Sequence, residues 1–127
     1  MNLKEMTLQY LREEGFCPKE TEFGLDFKCE GHSFIVFYDE EDDQYFRLMM
    51  PNIFEVTDEN RDAVMYALNE TNSTVKVVKT YTPIPDAVWV GFEVLVDSTP
   101  VLADLVPRGL SMLRTAQNTF YEAIQKS

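Results

Sequence analysis

Hydrophobic and polar residues alternate with a period of two along the segment EFGLDFKC, residues 22–29. This alternation is typical of a β-strand that buries one face. The apolar positions on that face are Phe23, Leu25, Phe27 and Cys29. The next two residues, Glu30 and Gly31, predict a tight turn, because glycine readily adopts a positive φ. The segment HSFIVFY, which follows the turn, therefore predicts a hairpin with the first strand.

Three more segments have the β-branched and aromatic content of strands. They are QYFRLMM (44–50), TVKVVKTY (74–81) and AVWVGFEVLV (87–96). The sequence TPIPD connects the last two. Its two prolines predict a connection without strand pairing, because proline has no backbone N–H to donate.

Apolar residues recur at intervals of three and four in three other segments, and this spacing predicts helices. The first helix spans residues 2–14. The second begins at Thr57 or Asp58, both good N-caps, and ends near Asn69. The third follows Pro100 and runs to the end of the chain. Pro107 lies within it and predicts a kink or a new start, because proline removes one helical hydrogen bond.

The predicted order of elements is α-β-β-β-α-β-β-α. Hairpin connections and flanking helices indicate an α+β fold with an antiparallel five-stranded sheet. The 127 residues predict a single domain, 1–127, and 45% of them are hydrophobic. A chain of this size and composition can bury a core without disulfides or a structural metal.

The formal net charge is −11, from 11 Lys and Arg against 22 Asp and Glu. Such a surface repels phosphate backbones and anionic lipids, so we expect no nucleic acid and no membrane as partner. The first residues, MNLKEMTLQYLREEG, are charged throughout and lack the apolar run of a signal peptide. We therefore expect a cytoplasmic protein.

The predicted order, in a small acidic chain, resembles the type III secretion chaperone fold. It is more closely similar to the bacterial YbjN family, whose members are described as candidate sensory transduction regulators. The resemblance rests on FGLDFKCEGHSFIVFYD, on NRDAVMYALNETNSTVKVVKTY and on the long closing helix. It implies a non-enzymatic, adaptor-like domain that binds proteins, commonly as a homodimer. It assigns a chemical role to no residue, and a shared fold by itself does not establish a shared function.

Five acidic residues in succession, Asp39–Asp43, stand between Tyr38 and Tyr45. Asp39, Glu41 and Asp43 match the first three ligand positions of an EF-hand loop. The sixth position is Gln44 where that loop has glycine, and the twelfth is Met50 where it has glutamate. We interpret the run as a charged hairpin tip that discourages edge-to-edge aggregation. A weak cation site or a docking patch for a basic partner is the alternative.

No catalytic or cofactor motif is present. His32 is the only histidine, and Cys17 and Cys29 have no zinc-binding spacing. The serines lack a nucleophile-elbow context, and no glycine-rich phosphate loop occurs. We therefore predict a protein that is not an enzyme and needs no cofactor or metal. The alternative is a small ion-dependent regulator or enzyme that uses the acidic hairpin Asp39–Asp43 or His32.

Several strands are apolar on both faces, although an antiparallel sheet with one wet face should alternate cleanly. The surplus apolar residues need a cover: Ile35, Phe37, Tyr45, Met49, Trp89 and Leu95. Either helix two covers them within the chain, or they form an interaction surface. From the second alternative we predict Phe37, Tyr45, Met49 and Trp89 as partner-binding residues. The predicted function is a non-enzymatic adaptor or chaperone-like regulatory module that forms a homodimer and binds a protein segment on sheet and helix surfaces.

Overall fold

The structure is a computed structural model that describes residues 2–127. Its helices are α1 (Leu3–Glu13), α2 (Arg61–Thr74) and α3 (Leu102–Lys126). Its strands are β1 (Lys19–Glu20), β2 (Gly24–Cys29), β3 (His32–Phe37), β4 (Tyr45–Glu55), β5 (Val78–Ile84) and β6 (Ala87–Leu95). The class is α+β, as the sequence predicted.

The strands form one antiparallel sheet in the order β1-β2-β3-β4-β6-β5. The prediction of five strands was wrong, because the sheet has six. The additional strand, β1, pairs Lys19 with Asp26 and Glu20 with Leu25. Both of its residues are polar and exposed. A strand this short and polar has no hydrophobic alternation that could indicate it.

The β2–β3 hairpin forms where the sequence predicted it. Glu30 and Gly31 both have positive φ, 51° and 82°. Two successive residues of this kind match the right-handed twist of the flanking strands. The register Cys29↔His32 and Phe27↔Phe34 places the apolar residues of both strands on the same side.

The boundary between α2 and β5 differs from the prediction. The helix begins after the N-cap Asn60 and continues to Thr74, and β5 starts only at Val78. Pairing also continues further than predicted, because β5 runs through Pro83 to Ile84 with one irregularity in its register. Proline is tolerated there because β5 is an edge strand.

All three helices lie on one face of the sheet. The strands contribute to this core Leu25, Phe27, Phe34, Val36, Phe46, Leu48, Met50, Val88, Val90 and Phe92. The helices contribute mainly Leu3, Leu11, Val64, Ala67, Val106, Leu113, Ala116 and Phe120. Helix α3 is continuous through Pro107, so it does not restart there. None of the helices within residues 2–127 is long and apolar enough to cross a membrane.

Helix α2 lies on the same side as α3, so it does not cover the second face of the sheet. Val64 and Ala67 of α2 belong to the same core as Leu48. Thr80 pairs with Val90 in the sheet and donates its hydroxyl hydrogen to the carbonyl of Leu68 in α2, at 3.2 Å. The alternative in which helix two covers the surplus apolar residues within the chain is therefore wrong.

Candidate functional site

The sheet face opposite the helices is not covered by any element of residues 2–127, and we call it the open face. Strand register determines which residues share it, because successive side chains point to opposite sides. Its central residues are Ile35, Phe37, Tyr45, Arg47, Met49, Lys79, Tyr81, Trp89, Gly91 and Glu93. Aromatic, cationic and apolar groups are therefore concentrated on one surface of an otherwise acidic chain.

Two aromatic rings meet across the middle of the open face. The Phe37 and Trp89 rings stack with centroids 6.0 Å apart and planes at 27°. Phe37 lies on β3 and Trp89 on β6, so the pair spans the intervening strand β4. Stacked aromatic pairs contribute about 0.5–1.5 kcal/mol beyond the area they bury. The pair therefore holds both rings in defined positions on the open face.

A bulge in β4 anchors the far side of Trp89. Met50 pairs with Val90 and Phe54 with Val88, so the intervening segment 51–53 opposes Trp89 alone. Asn52 within it has a φ of 51°, a left-handed conformation that asparagine tolerates. Its Oδ1 accepts a hydrogen bond of 3.1 Å from Trp89 Nε1. The bulge thus satisfies the indole N–H and leaves the apolar part of the ring for contact.

Glu93 connects three strands of the open face. Tyr45 Oη donates to its Oε1 at 2.7 Å, and Lys79 Nζ lies 2.9 Å from its Oε2. Burial alone would raise the pKa of Glu93, but the hydrogen bonds from Lys79 and Tyr45 and the nearby positive charges lower it. Burial and the bond to Glu93 raise the pKa of Tyr45 to about 12. Glu93 is thus an ionised acceptor and Tyr45 a neutral donor at neutral pH.

Arg47 lies between two aromatic rings. Its guanidinium carbon is 5.3 Å from the Phe37 ring centroid and 5.3 Å from the Tyr45 ring centroid. Its Nε is buried and has no hydrogen-bond partner within residues 2–127. None of the ion pairs in the same part of the chain includes Arg47. The guanidinium therefore lies against two ring faces and forms no ion pair with the described residues.

The structure places all four predicted partner-binding residues on the open face. Phe37, Tyr45 and Trp89 are half-buried there. Met49 is only 1% exposed. It pairs with Gly91, where an added Cβ would stand 2.8 Å from the Met49 Cε. The Met49 side chain therefore fills the space beside Gly91 that a larger residue would occupy.

Arg47, Lys79 and Glu93 were not predicted as site residues. The signal that could have found Arg47 and Glu93 is a single charged residue within an otherwise apolar strand, as in YFRLMM and WVGFEVL. A register between strands was also needed, since Arg47 pairs with Glu93 across the β4–β6 ladder. Sequence spacing alone does not supply that register.

The acidic run forms the exposed connection between β3 and β4. Asp39 and Asp42 each accept a backbone N–H two residues ahead, at 3.0 Å in both cases. Asp43 accepts the Leu3 N–H at 2.9 Å and so caps the N-terminus of α1 from a distant part of the chain. Three of the five carboxylates therefore order the backbone, a role that the sequence did not indicate.

The remaining candidate residues are dispersed. His32 begins β3 opposite Cys29, and Cys17 is exposed in the loop after α1. Over residues 2–127, no group of three or more His, Cys, Asp and Glu side chains is arranged to hold a metal ion. The acidic residues Asp39–Asp43 and His32 are therefore not brought together with other ligands into such a group.

Comparison with known proteins identifies solved structures that share this fold. No family model matches the sequence. No curated protein sequence matches it either. The structure of YbjN from E. coli, whose description proposes a transcription regulator, aligns with a TM-score of 0.72 at 12% identity, over 94% of this chain and 89% of that one. The predicted resemblance to the YbjN fold is thereby confirmed.

A second similar structure comes from an archaeon. An uncharacterised protein from Methanothermobacter thermautotrophicus aligns with a TM-score of 0.68 at 16% identity, over 98% of this chain and 97% of that one. Both alignments cover nearly the whole of each chain. At these identities the likeness establishes the shared fold, and the function has to be argued from the open face.

Proposed function

We propose that this protein is a non-enzymatic protein-binding module of regulatory or chaperone-like type. It captures a segment of a partner protein on the open face, and it acts as a homodimer. One observation carries the proposal: a sheet face with Phe37, Tyr45 and Trp89 lies opposite all three helices. Sheet faces of this composition usually pack against something, and large uncovered apolar patches mark interaction sites.

The composition of the open face supports protein recognition. Tyrosine, tryptophan and arginine dominate the residues whose truncation weakens protein interfaces most. The open face holds Tyr45, Trp89 and Arg47 together, with Phe37 between them. The rings are already fixed by stacking and by hydrogen bonds, so a partner would lose little of its binding energy to ordering them.

Helix α2 presents a second apolar surface for self-association. Met65 and Tyr66 are adjacent on α2 and both are exposed. Methionine and tyrosine are enriched in interfaces. This surface lies on the helical side of the molecule, so a dimer formed through it would leave the open face accessible to a partner.

The charge of the chain favours a protein partner over nucleic acid. YbjN is described as a candidate transcription regulator. A chain with a net charge of −11 is repelled by a duplex, because affinity for DNA depends on neutralising phosphates with Lys and Arg. A regulatory role of this chain would therefore act through contact with another protein.

The test combines open-face variants with a measurement of oligomeric state. We expect light scattering after size exclusion to give twice the 14.7 kDa chain mass. Trp89→Ala and Tyr45→Ala should each weaken capture of a partner from native cell extract, identified by mass spectrometry, without loss of the folded state. The matched control is Phe23→Ala, which removes an exposed aromatic outside both surfaces.

A monomeric mass would contradict the homodimer. Capture that is unchanged in Trp89→Ala and Tyr45→Ala would contradict binding on the open face. Circular dichroism on each variant shows that a loss of binding does not result from unfolding.

A further inference from the structure

We infer that Arg47 recognises a carboxylate, so that the segment bound on the open face presents an aspartate or glutamate flanked by apolar side chains. This inference rests on the proposed function, because it requires the open face to bind a protein segment. It specifies which chemical group of the partner is recognised. It also gives Arg47 a role of its own, which the proposed function does not.

Arg47 lacks the internal partner that its register would provide. Glu93 is directly opposite Arg47 in the β4–β6 ladder. Both Glu93 oxygens are engaged elsewhere, with Tyr45 Oη at 2.7 Å and Lys79 Nζ at 2.9 Å. Lys79 therefore has an ion-pair partner in Glu93 and Arg47 has none, although the Arg47 charge still helps to lower the pKa of Glu93. The Arg47 side chain makes no hydrogen bond or ion pair within residues 2–127, so a bound carboxylate would supply charged hydrogen bonds that no described residue provides.

The geometry around Arg47 suits a carboxylate. Phe37 and Tyr45 each place a ring 5.3 Å from the guanidinium carbon and hold the group in position. A planar guanidinium offers two parallel N–H donors, which match the two oxygens of a carboxylate. A carboxylate bound beside these rings would be partly removed from water, which strengthens a charged hydrogen bond. Apolar side chains beside the carboxylate would meet the Phe37–Trp89 pair.

Charge complementarity decides the occupant. The centre of the open face carries two cations, Arg47 and Lys79, and one anion, Glu93, while the chain as a whole has a net charge of −11. A single carboxylate is attracted to this local surplus of positive charge. A nucleic-acid strand brings many phosphates and would meet one unpaired arginine in a strongly acidic surrounding. An acidic-apolar protein segment therefore fits better than a nucleic acid.

The test begins with an unbiased probe. A random peptide library displayed on phage is selected on the full-length protein, and enriched peptides without tryptophan are synthesised with blocked ends. Trp89 is the only tryptophan of the chain, so its fluorescence reports occupancy of the open face. We expect an Asp or Glu at one fixed position of the enriched peptides, next to apolar residues.

A double-mutant cycle then measures the coupling between Arg47 and that acid. Replacing the peptide's acid by its amide should weaken binding to the wild-type protein at least about tenfold. In Arg47→Met the same replacement should change the affinity less than twofold. Arg47→Lys should lie between, because lysine retains the charge but not the paired donors. Arg108→Met, which removes an exposed arginine of α3 on the helical side, is the matched control and should bind like wild type.

A direct readout keeps the test valid if a variant at position 47 fails to fold. The Nε–H resonance of Arg47 in the wild-type protein should shift on adding the acidic peptide, and should shift much less with the amide version. Either result can be obtained without any substitution in the protein.

Several outcomes would overturn the inference. Enriched peptides that lack an acid, or an amide effect that is as large in Arg47→Met as in wild type, would refute carboxylate recognition while leaving open-face binding intact. Tighter binding of a single-stranded RNA oligonucleotide at Trp89 would refute the choice of partner. Failure of every peptide to bind at Trp89 would refute both this inference and the proposed function.

Discussion

At the scale of single residues, Glu93 makes two close polar contacts on the open face. Its carboxylate accepts from Tyr45 and pairs with Lys79, which belong to different strands. These contacts outweigh the effect of burial and lower the pKa of Glu93 in the folded state. Because the unfolded chain has the ordinary glutamate pKa, the ionised carboxylate stabilises the folded state above that value.

This contribution should depend on pH in a defined direction. Relative to Glu93→Gln, the wild-type protein should be more stable at pH 7, and the difference should disappear as the pH falls from about 5 through the lowered pKa. Urea unfolding of both proteins at pH 7 and at about pH 3.5 measures it. Glu122→Gln, an exposed glutamate of α3 without an ion pair in the described part of the chain, is the control. A difference at the lower pH that is as large as at pH 7 would show that it does not come from ionisation of Glu93.

Val77 is strained in the connection between α2 and β5. It has a φ of 57°, a conformation that β-branched residues rarely adopt. Its side chain is 64% exposed, so it contributes little packing in return. The left-handed conformation costs a residue with a Cβ about 1–2 kcal/mol.

Val77→Gly should therefore raise the free energy of unfolding. We expect a gain of about 0.5–1 kcal/mol, because glycine adopts this φ freely but loses more entropy on folding. Chemical denaturation measures the change. Val77→Ala is the control, since it removes the side chain but retains the Cβ and should give no comparable gain. Equal effects of both variants would show that the side chain, and not the backbone conformation, causes the change.

At the scale of elements, α2 protects the edge of the sheet. Asn72 Oδ1 accepts the Thr80 N–H at 2.7 Å, and Asn72 Nδ2 donates to the Thr80 carbonyl at 3.1 Å. The asparagine amide thereby replaces a neighbouring strand at this position of β5. Exposed strand edges with free N–H and C=O groups are templates for aggregation.

Asn72→Ala should lower stability and expose this edge. We expect a loss of about 1–2 kcal/mol, because two backbone groups of Thr80 lose their partners. We also expect faster aggregation on heating, measured by light scattering. Asn69→Ala is the matched control, because Asn69 is exposed on the same helix and its side chain makes no hydrogen bond within the described residues. Similar behaviour of the two variants would contradict the protective role of Asn72.

At the scale of the whole molecule, the acidic surface opposes folding through self-repulsion. The net charge is −11, and the exposed connection Asp39–Asp43 concentrates five of the negative charges. Apart from Lys79–Glu93, the ion pairs formed by residues 2–127 are few and exposed, so they contribute little. Repulsion between exposed charges weakens as salt shortens the range of electrostatic interaction.

Stability should therefore rise with salt. Between about 10 mM and 300 mM NaCl, we expect the free energy of unfolding to increase by about 1 kcal/mol. A Glu40→Gln, Glu41→Gln double variant should be more stable at low salt and gain less from NaCl, because the side chains of both residues make no ion pair in the described part of the chain. Stability that falls with NaCl would show that attractive pairs outweigh the repulsion.

Local pattern alone was sufficient for part of the fold. The alternation in 22–29 and the Glu30–Gly31 turn determine the β2–β3 hairpin, because side-chain period and turn conformation are properties of neighbouring residues. The three helices and the α+β class follow from spacing in the same way. The period of two also places Tyr45, Met49 and Trp89 on shared strand faces. The end of α2 and the existence of β1 did not follow, since their local signals are weak.

Which face of the sheet the helices leave uncovered became evident only from the tertiary structure. Whether α2 packs on one face of the sheet or the other depends on long-range packing, which no local period encodes. The burial of Met49 above Gly91 depends on the register between β4 and β6. The unpaired charge of Arg47 depends on both oxygens of Glu93 being engaged by side chains from other strands. The sequence by itself determined which residues alternate to a shared strand face, and three-dimensional pairing determined which of them lie together on the open face.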